Sequence, residues 1–117
     1  MKVRLLDIAH ARSGDKGNTA NVGVIANRAD LYPLLAEHLT LDRVRDHFRG
    51  MIDGDVDRFE LPNIGAVNFL LHGALDGGGT LSLKTDAQGK VYSTAMLRLV
   101  LDVPDAQARA AGLAPRS

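Results

Sequence analysis

Apolar positions fall into short clusters separated by polar or glycine-bearing breaks, and the spacing inside each cluster predicts its element. Val3 to Ala9 is an apolar run with β-branched members, broken after His10 by Ser, Gly, Asp and Asn, so it reads as strand then loop. In Ala20 to Ala26 the β-branched Val22, Val24 and Ile25 favour a second strand. Asp30 before Leu31-Tyr32-Pro33 has the look of a helix start, with Leu31, Leu34, Leu35 and Leu39 at helical spacing. Thr40 restarts the pattern, and Leu41, Val44, Phe48 and Met51 predict a second short helix ending near Gly50 to Gly54.

Val56 to Leu61 alternates as a half-buried strand closed by Pro62. Ile64, Val67, Leu70, Leu71 and Leu75 keep i, i+3, i+4, i+7 spacing, which predicts a helix capped by Asn63 and ending at Asp76-Gly77-Gly78-Gly79. Thr80 to Thr85 alternates again before Asp86-Ala87-Gln88-Gly89, a turn or loop. Residues 91–103 lean to helix, although Leu97, Leu99 and Leu101 also alternate as a closing strand would. The alanine-rich segment 104–117 has few large apolar residues to anchor it and is expected to fray, leaving one domain over 1–103. The mixture predicts an α+β two-layer sandwich, with helices on one face of a mainly antiparallel sheet.

Composition narrows the functional classes. With 117 residues, 45% of them hydrophobic and 24% charged, one globular core is expected. Fourteen basic residues balance fourteen acidic ones, so no overall field recruits a nucleic acid. The chain has no cysteine, which removes thiolate chemistry and cysteine-ligated metals and fits a reducing compartment. Asp7 interrupts what a signal peptide would keep apolar, and no run approaches a membrane span, so a cytoplasmic protein is expected. No metal or cofactor is implied.

The densest polar stretch runs from His10 to Asn21. It offers His10, Arg12, Ser13, Lys16, Asn18 and Asn21 as donors for an anion and Asp15 as an acid/base group, with Gly14 and Gly17 allowing a tight bend. A plain solvated hairpin turn is the alternative. Gly14-Asp15-Lys16-Gly17 lacks the spacing of a phosphate loop. In the second polar stretch Asn68 and His72, four apart, share one face of the predicted helix, and His72 is either a hydrogen-bonded structural residue or an acid/base group. His38 and His47 lack metal-ligand spacing and are expected at the surface, while Asp42 to His47 reads as an ion-paired solvated face. Glu60 is either an edge residue or a site acid.

Four segments in order resemble the carboxy-terminal domain of the acyclic terpene utilisation protein A (AtuA-like) family: Ile8 to Ala26, Leu31-Tyr32-Pro33-Leu34-Leu35, Arg58-Phe59-Glu60-Leu61-Pro62 and Asn68 to Gly79. The resemblance spans roughly residues 2–100. It implies a ferredoxin-like sandwich and a place in bacterial breakdown of acyclic terpenoids and other branched acids through coenzyme A thioesters. Longer members carry a larger preceding domain. The resemblance therefore implies a small subunit meeting a large AtuA-type partner, or a homo-oligomer. On this reading the His10–Asn21 and Asn68–Gly79 segments form one site for an acyl-CoA or hydroxy-acid metabolite; the rival is a noncatalytic assembly module.

Overall fold

The computed structural model describes residues 1–16, 19–52, 54–73 and 92–113. Four antiparallel strands build the main sheet in the order β2 (Ala9–Lys16), β3 (Thr19–Ala26), β5 (Ala66–His72), β4 (Val56–Leu61). A second, two-stranded sheet pairs β1 (Lys2–Arg4) with β6 (Val100–Asp102), Val3 lying opposite Leu101. Five helical segments complete the described chain: α1 (Leu5–Ile8), α2 (Tyr32–His38), α3 (Leu41–His47), α4 over 92–97 and α5 (Asp105–Ala110). The result is the expected ferredoxin-like α+β class.

The central strands explain the layering. Side chains alternate across a strand, so Ala20, Val22 and Val24 of β3 point to one face with Val67, Phe69 and Leu71 of β5, and all six are fully buried. Helices α2 and α3 supply the opposing layer through Leu34, Leu35, Val44 and Phe48, each at most 1% exposed. Phe48 also meets the Tyr92 ring of α4, with centroids 5.9 Å apart. The Thr40 hydroxyl caps α3 by accepting from the Arg43 amide at 3.2 Å. Arg58 reaches from β4 to the last turn of α2, donating to the carbonyls of Leu39 and Ala36 at 2.9 and 2.8 Å. Those carbonyls have no partner inside the helix, so one guanidinium both caps α2 and ties it to the sheet.

The expected helix from Asn63 is instead a single 3-10 turn, Pro62–Ile64, ended by Gly65 at φ +65°, followed by strand β5. Two periods coincide at i+4, because a strand also returns to the same face there. Strand β5 carries apolar Ala66 and Leu70 beside Asn68 and His72 on its second face, which hides its alternation. The polar stretch 10–21 is mostly paired strand, and the first strand is broken by the one-turn helix α1, which buries Leu5 and Ile8. Asp30 is no cap: it pairs with Arg28 at 3.0 Å beside the 3-10 turn Ala29–Leu31.

Both readings of 91–103 hold in part, with helix over 92–97 and strand at Val100–Asp102. Over its described length the segment after Pro104 forms helix α5, with Ala108 fully buried and Arg28 donating to the Ala111 carbonyl at 2.7 Å. Small side chains and backbone bonds anchor it where large apolar residues are lacking. The predicted Gly77–Gly79 break, Thr80–Thr85 strand and 86–89 turn lie outside the described residues. Phe69 faces Val22 and Arg58 on the neighbouring strands. Phe69→Ala is expected to cost about 3–5 kcal/mol in chemical denaturation, since the cavity lies between two packed layers.

Candidate functional site

The face of the main sheet opposite α2 and α3, called the open face, exposes Asp57, Phe59 and Leu61 of β4 among the described residues. Its geometry starts with the β2–β3 hairpin, in which eight residue pairs run from Ala9–Ala26 to Lys16–Thr19, with 17–18 between the strands. Alternation then sorts the polar stretch by face. His10 and Arg12 lie on the open face with Asn21, and all three are exposed. Ser13 pairs with Val22 and belongs to the covered side; the strand position of Asp15, opposite Ala20, follows the same parity. Lys16 takes the strand position opposite Thr19, in open-face parity. Asn18 lies outside the described residues.

Strand β5 brings the second polar stretch onto this face. Asn68 stands opposite Gly23, which stands opposite Arg12, and Phe59 of β4 completes the row. A Cβ at Gly23 would sit 3.5 Å from the Asn68 side-chain oxygen and 4.0 Å from the Arg12 carbonyl. The Asn68 amide oxygen thus lies over Gly23, at ordinary contact distance from where a side chain would begin. Asn68 and His72 do share a face, by strand parity rather than by a helical turn.

His72 has a side-chain partner on each of the two strands that flank β5. Its Nε2 lies 2.7 Å from Asp57 Oδ2 on β4, and its Nδ1 lies 3.2 Å from Thr19 Oγ1 on β3. An ionised carboxylate only accepts, so Nε2 carries the proton in the neutral ring; Nδ1 is then an acceptor and the Thr19 hydroxyl donates to it. The chain Asp57–His72–Thr19 spans three strands and is open to water, with side-chain exposures of 40% for His72 and 52% for Asp57. Backbone bonds hold it as well: the His72 amide donates to the Asp55 carbonyl, and the Gly54 amide donates to the His72 carbonyl, each at 2.9 Å.

Thr19 and Asp57 are absent from the residues singled out in the sequence. Their signal was parity, once β5 is taken as a strand between β3 and β4. Other polar groups have partners of their own. His10 Nδ1 is 3.1 Å from Asn27 Oδ1 at the far end of β2. His38 and His47 are not surface groups: both are half-buried, His38 Nε2 being 2.7 Å from Gln107 Oε1 and His47 Nε2 donating to the Ala95 carbonyl at 2.6 Å. Glu60 is an edge residue paired with Arg58 at 2.8 Å. The face of α3 is ion-paired as expected, through Asp42–Arg45 and Asp46–Arg49. Among the described residues no three His, Asp or Glu side chains converge as a metal ion requires, and no helix is long and apolar enough to cross a membrane.

The pattern of residues that builds this sheet is matched by the family model of the AtuA ferredoxin-like domain over residues 3–102. The chain belongs to this family. No curated protein and no solved structure matches it. The open face, from Arg12 to His72, falls wholly inside the matched part of the AtuA ferredoxin-like domain.

A Cβ at Gly54 would approach the His72 carbonyl oxygen to 2.7 Å and its Cβ to 2.8 Å. Gly54→Ala is therefore expected to destabilise the domain by about 1–3 kcal/mol in denaturant titration and to displace His72, because backbone atoms must move to admit the methyl group. The Asp55 carboxyl is held below its ordinary value near 3.8, first by the Val56 amide and then by the Arg45 guanidinium. A carboxyl lowered in the folded state adds stability above its unfolded value, lost as the pH falls through the folded one. Asp55→Asn is expected to lower the Tm at neutral pH, with the difference fading below the ordinary carboxylate range in a series of melts.

Proposed function

We propose that this AtuA ferredoxin-like domain uses the open face of its sheet to bind an anionic metabolite of the acyl-CoA or branched hydroxy-acid class, of the kind handled in bacterial breakdown of branched acids. The observation that carries this reading is the register β2-β3-β5, which gathers Arg12, Asn21, Asn68 and His72 from two distant stretches onto one face. Arg12 is the anion-binding group, since an exposed guanidinium can fork onto a carboxylate or phosphate. Asn21 and Asn68 orient the ligand on either side of Gly23, and His72, held by Asp57, moves a proton. Ser13 and Asp15 take no part, their parity being that of the covered face.

A second reading, a module that docks on a large AtuA-type subunit, is favoured by Phe59, Leu61 and Ile64. These are 48%, 40% and 64% exposed beside the same face. Calorimetric titration of the chain with a branched short-chain acyl-CoA separates the two. The proposal predicts saturable binding that Arg12→Ala weakens about tenfold or more, the scale of one lost charge-assisted contact. Binding that is indifferent to Arg12, or seen only after a large subunit is added, contradicts an autonomous site.

A further inference from the structure

We infer that Thr19 is a nucleophile, activated by His72 and Asp57, and that the open face carries out acyl transfer from a thioester to its own threonine hydroxyl and then to water. The inference rests on the proposed reading of this face as a thioester site but makes a separate chemical claim. A hydroxyl acting as nucleophile needs a base within about 2.6–3.2 Å, and that base needs a third group fixing its tautomer. The described structure supplies both links at 3.2 and 2.7 Å, each member on a different strand of one rigid sheet. Because Asp57 holds the Nε2 proton, the Nδ1 lone pair points at the Thr19 hydroxyl, the direction of polarity that nucleophilic attack requires. Thr19 and His72 are half-buried rather than sealed, so a substrate lying on the face reaches them. Asn21, two residues along β3 on the same face and exposed, is placed to donate its amide to an oxyanion.

The step balances with water as the only co-reactant. Thr19 Oγ1 forms a bond to the acyl carbonyl carbon while its proton passes to His72 Nδ1, and Asp57 holds the resulting imidazolium. The tetrahedral intermediate collapses with cleavage of the carbon–sulfur bond, and the His72 proton leaves with the thiol. Water, deprotonated by His72, then attacks the threonine ester; the carboxylic acid departs and the Thr19 hydroxyl is restored.

The test uses the whole chain and p-nitrophenyl acetate, a neutral ester that does not depend on the anion contact at Arg12. Intact-mass and peptide mapping after a rapid acid quench are expected to find an acetyl group on Thr19, with a burst of nitrophenolate up to one equivalent of protein followed by slower steady release as the ester hydrolyses. Thr19→Ala should abolish that adduct and Thr19→Ser should retain it. His72→Gln, which keeps a hydrogen-bonding side chain but cannot accept the proton, should slow acylation about a hundredfold or more. Asp57→Asn should slow it too, with Asp57→Glu recovering part of the rate. An acetyl group found only on lysine, histidine or the amino terminus, or nitrophenolate release unchanged by Thr19→Ala, overturns the inference. Thr19 acylation without any acyl-CoA binding would keep the nucleophile and remove the proposed substrate class. Acyl-CoA binding without Thr19 acylation would do the reverse.

Discussion

The pairing of β3 with β5 is the constraint on which the rest of the domain depends. Thr19 to Ile25 run antiparallel to Ala66 to His72, and this register decides which residues meet the helices and which meet solvent. Because alternation has period two, a slip of β5 by one residue would turn Val67, Phe69 and Leu71 outward and bury Asn68 and His72. Such a slip exposes three large side chains, each worth roughly 1.5–3 kcal/mol when buried, and leaves buried polar groups to be satisfied. The apolar face therefore fixes the polar face. Placement of Arg12, Asn68 and His72 on one surface follows from core packing on the other.

The outer strands extend the same logic. β2 pairs with β3 along its whole length and carries His10 and Arg12 out to the sheet edge. β4 pairs with β5 and places Asp57 against His72, while its covered-face Arg58 binds α2. One strand thus serves both layers through successive residues. The Asp57–His72 contact is solvent-exposed and contributes little to stability as an ion pair. Its consequence is orientation: it selects one tautomer of His72 and aims the other nitrogen at Thr19.

Much of the fold was legible in the sequence. Leu31, Leu34, Leu35 and Leu39 marked α2 by spacing, Thr40 marked the start of α3, and the apolar runs around His10 to Asn21 marked a hairpin. Where the local pattern was ambiguous, tertiary context decided. Ala66 to His72 satisfies helical and strand spacing alike, and only its position between two strands resolves the choice. Ser13 and Asp15 looked equivalent to Arg12 because face assignment depends on hairpin register, which composition does not carry. Thr19 and Asp57 were invisible for a related reason: their partner lies 53 and 15 residues away. The closing helix α5 escaped notice because alanine packing and backbone hydrogen bonds leave no large apolar signature.

With β5 between β3 and β4, His72 is clamped between Thr19 and Asp57, and NMR of its ring nitrogens reads that clamp. The expected spectrum has a protonated Nε2 whose proton is protected from exchange, an unprotonated Nδ1 in the neutral ring, and loss of that protection in Asp57→Ala. A neutral ring protonated at Nδ1, or an Nε2 proton whose exchange is unchanged when Asp57 is replaced, would contradict it.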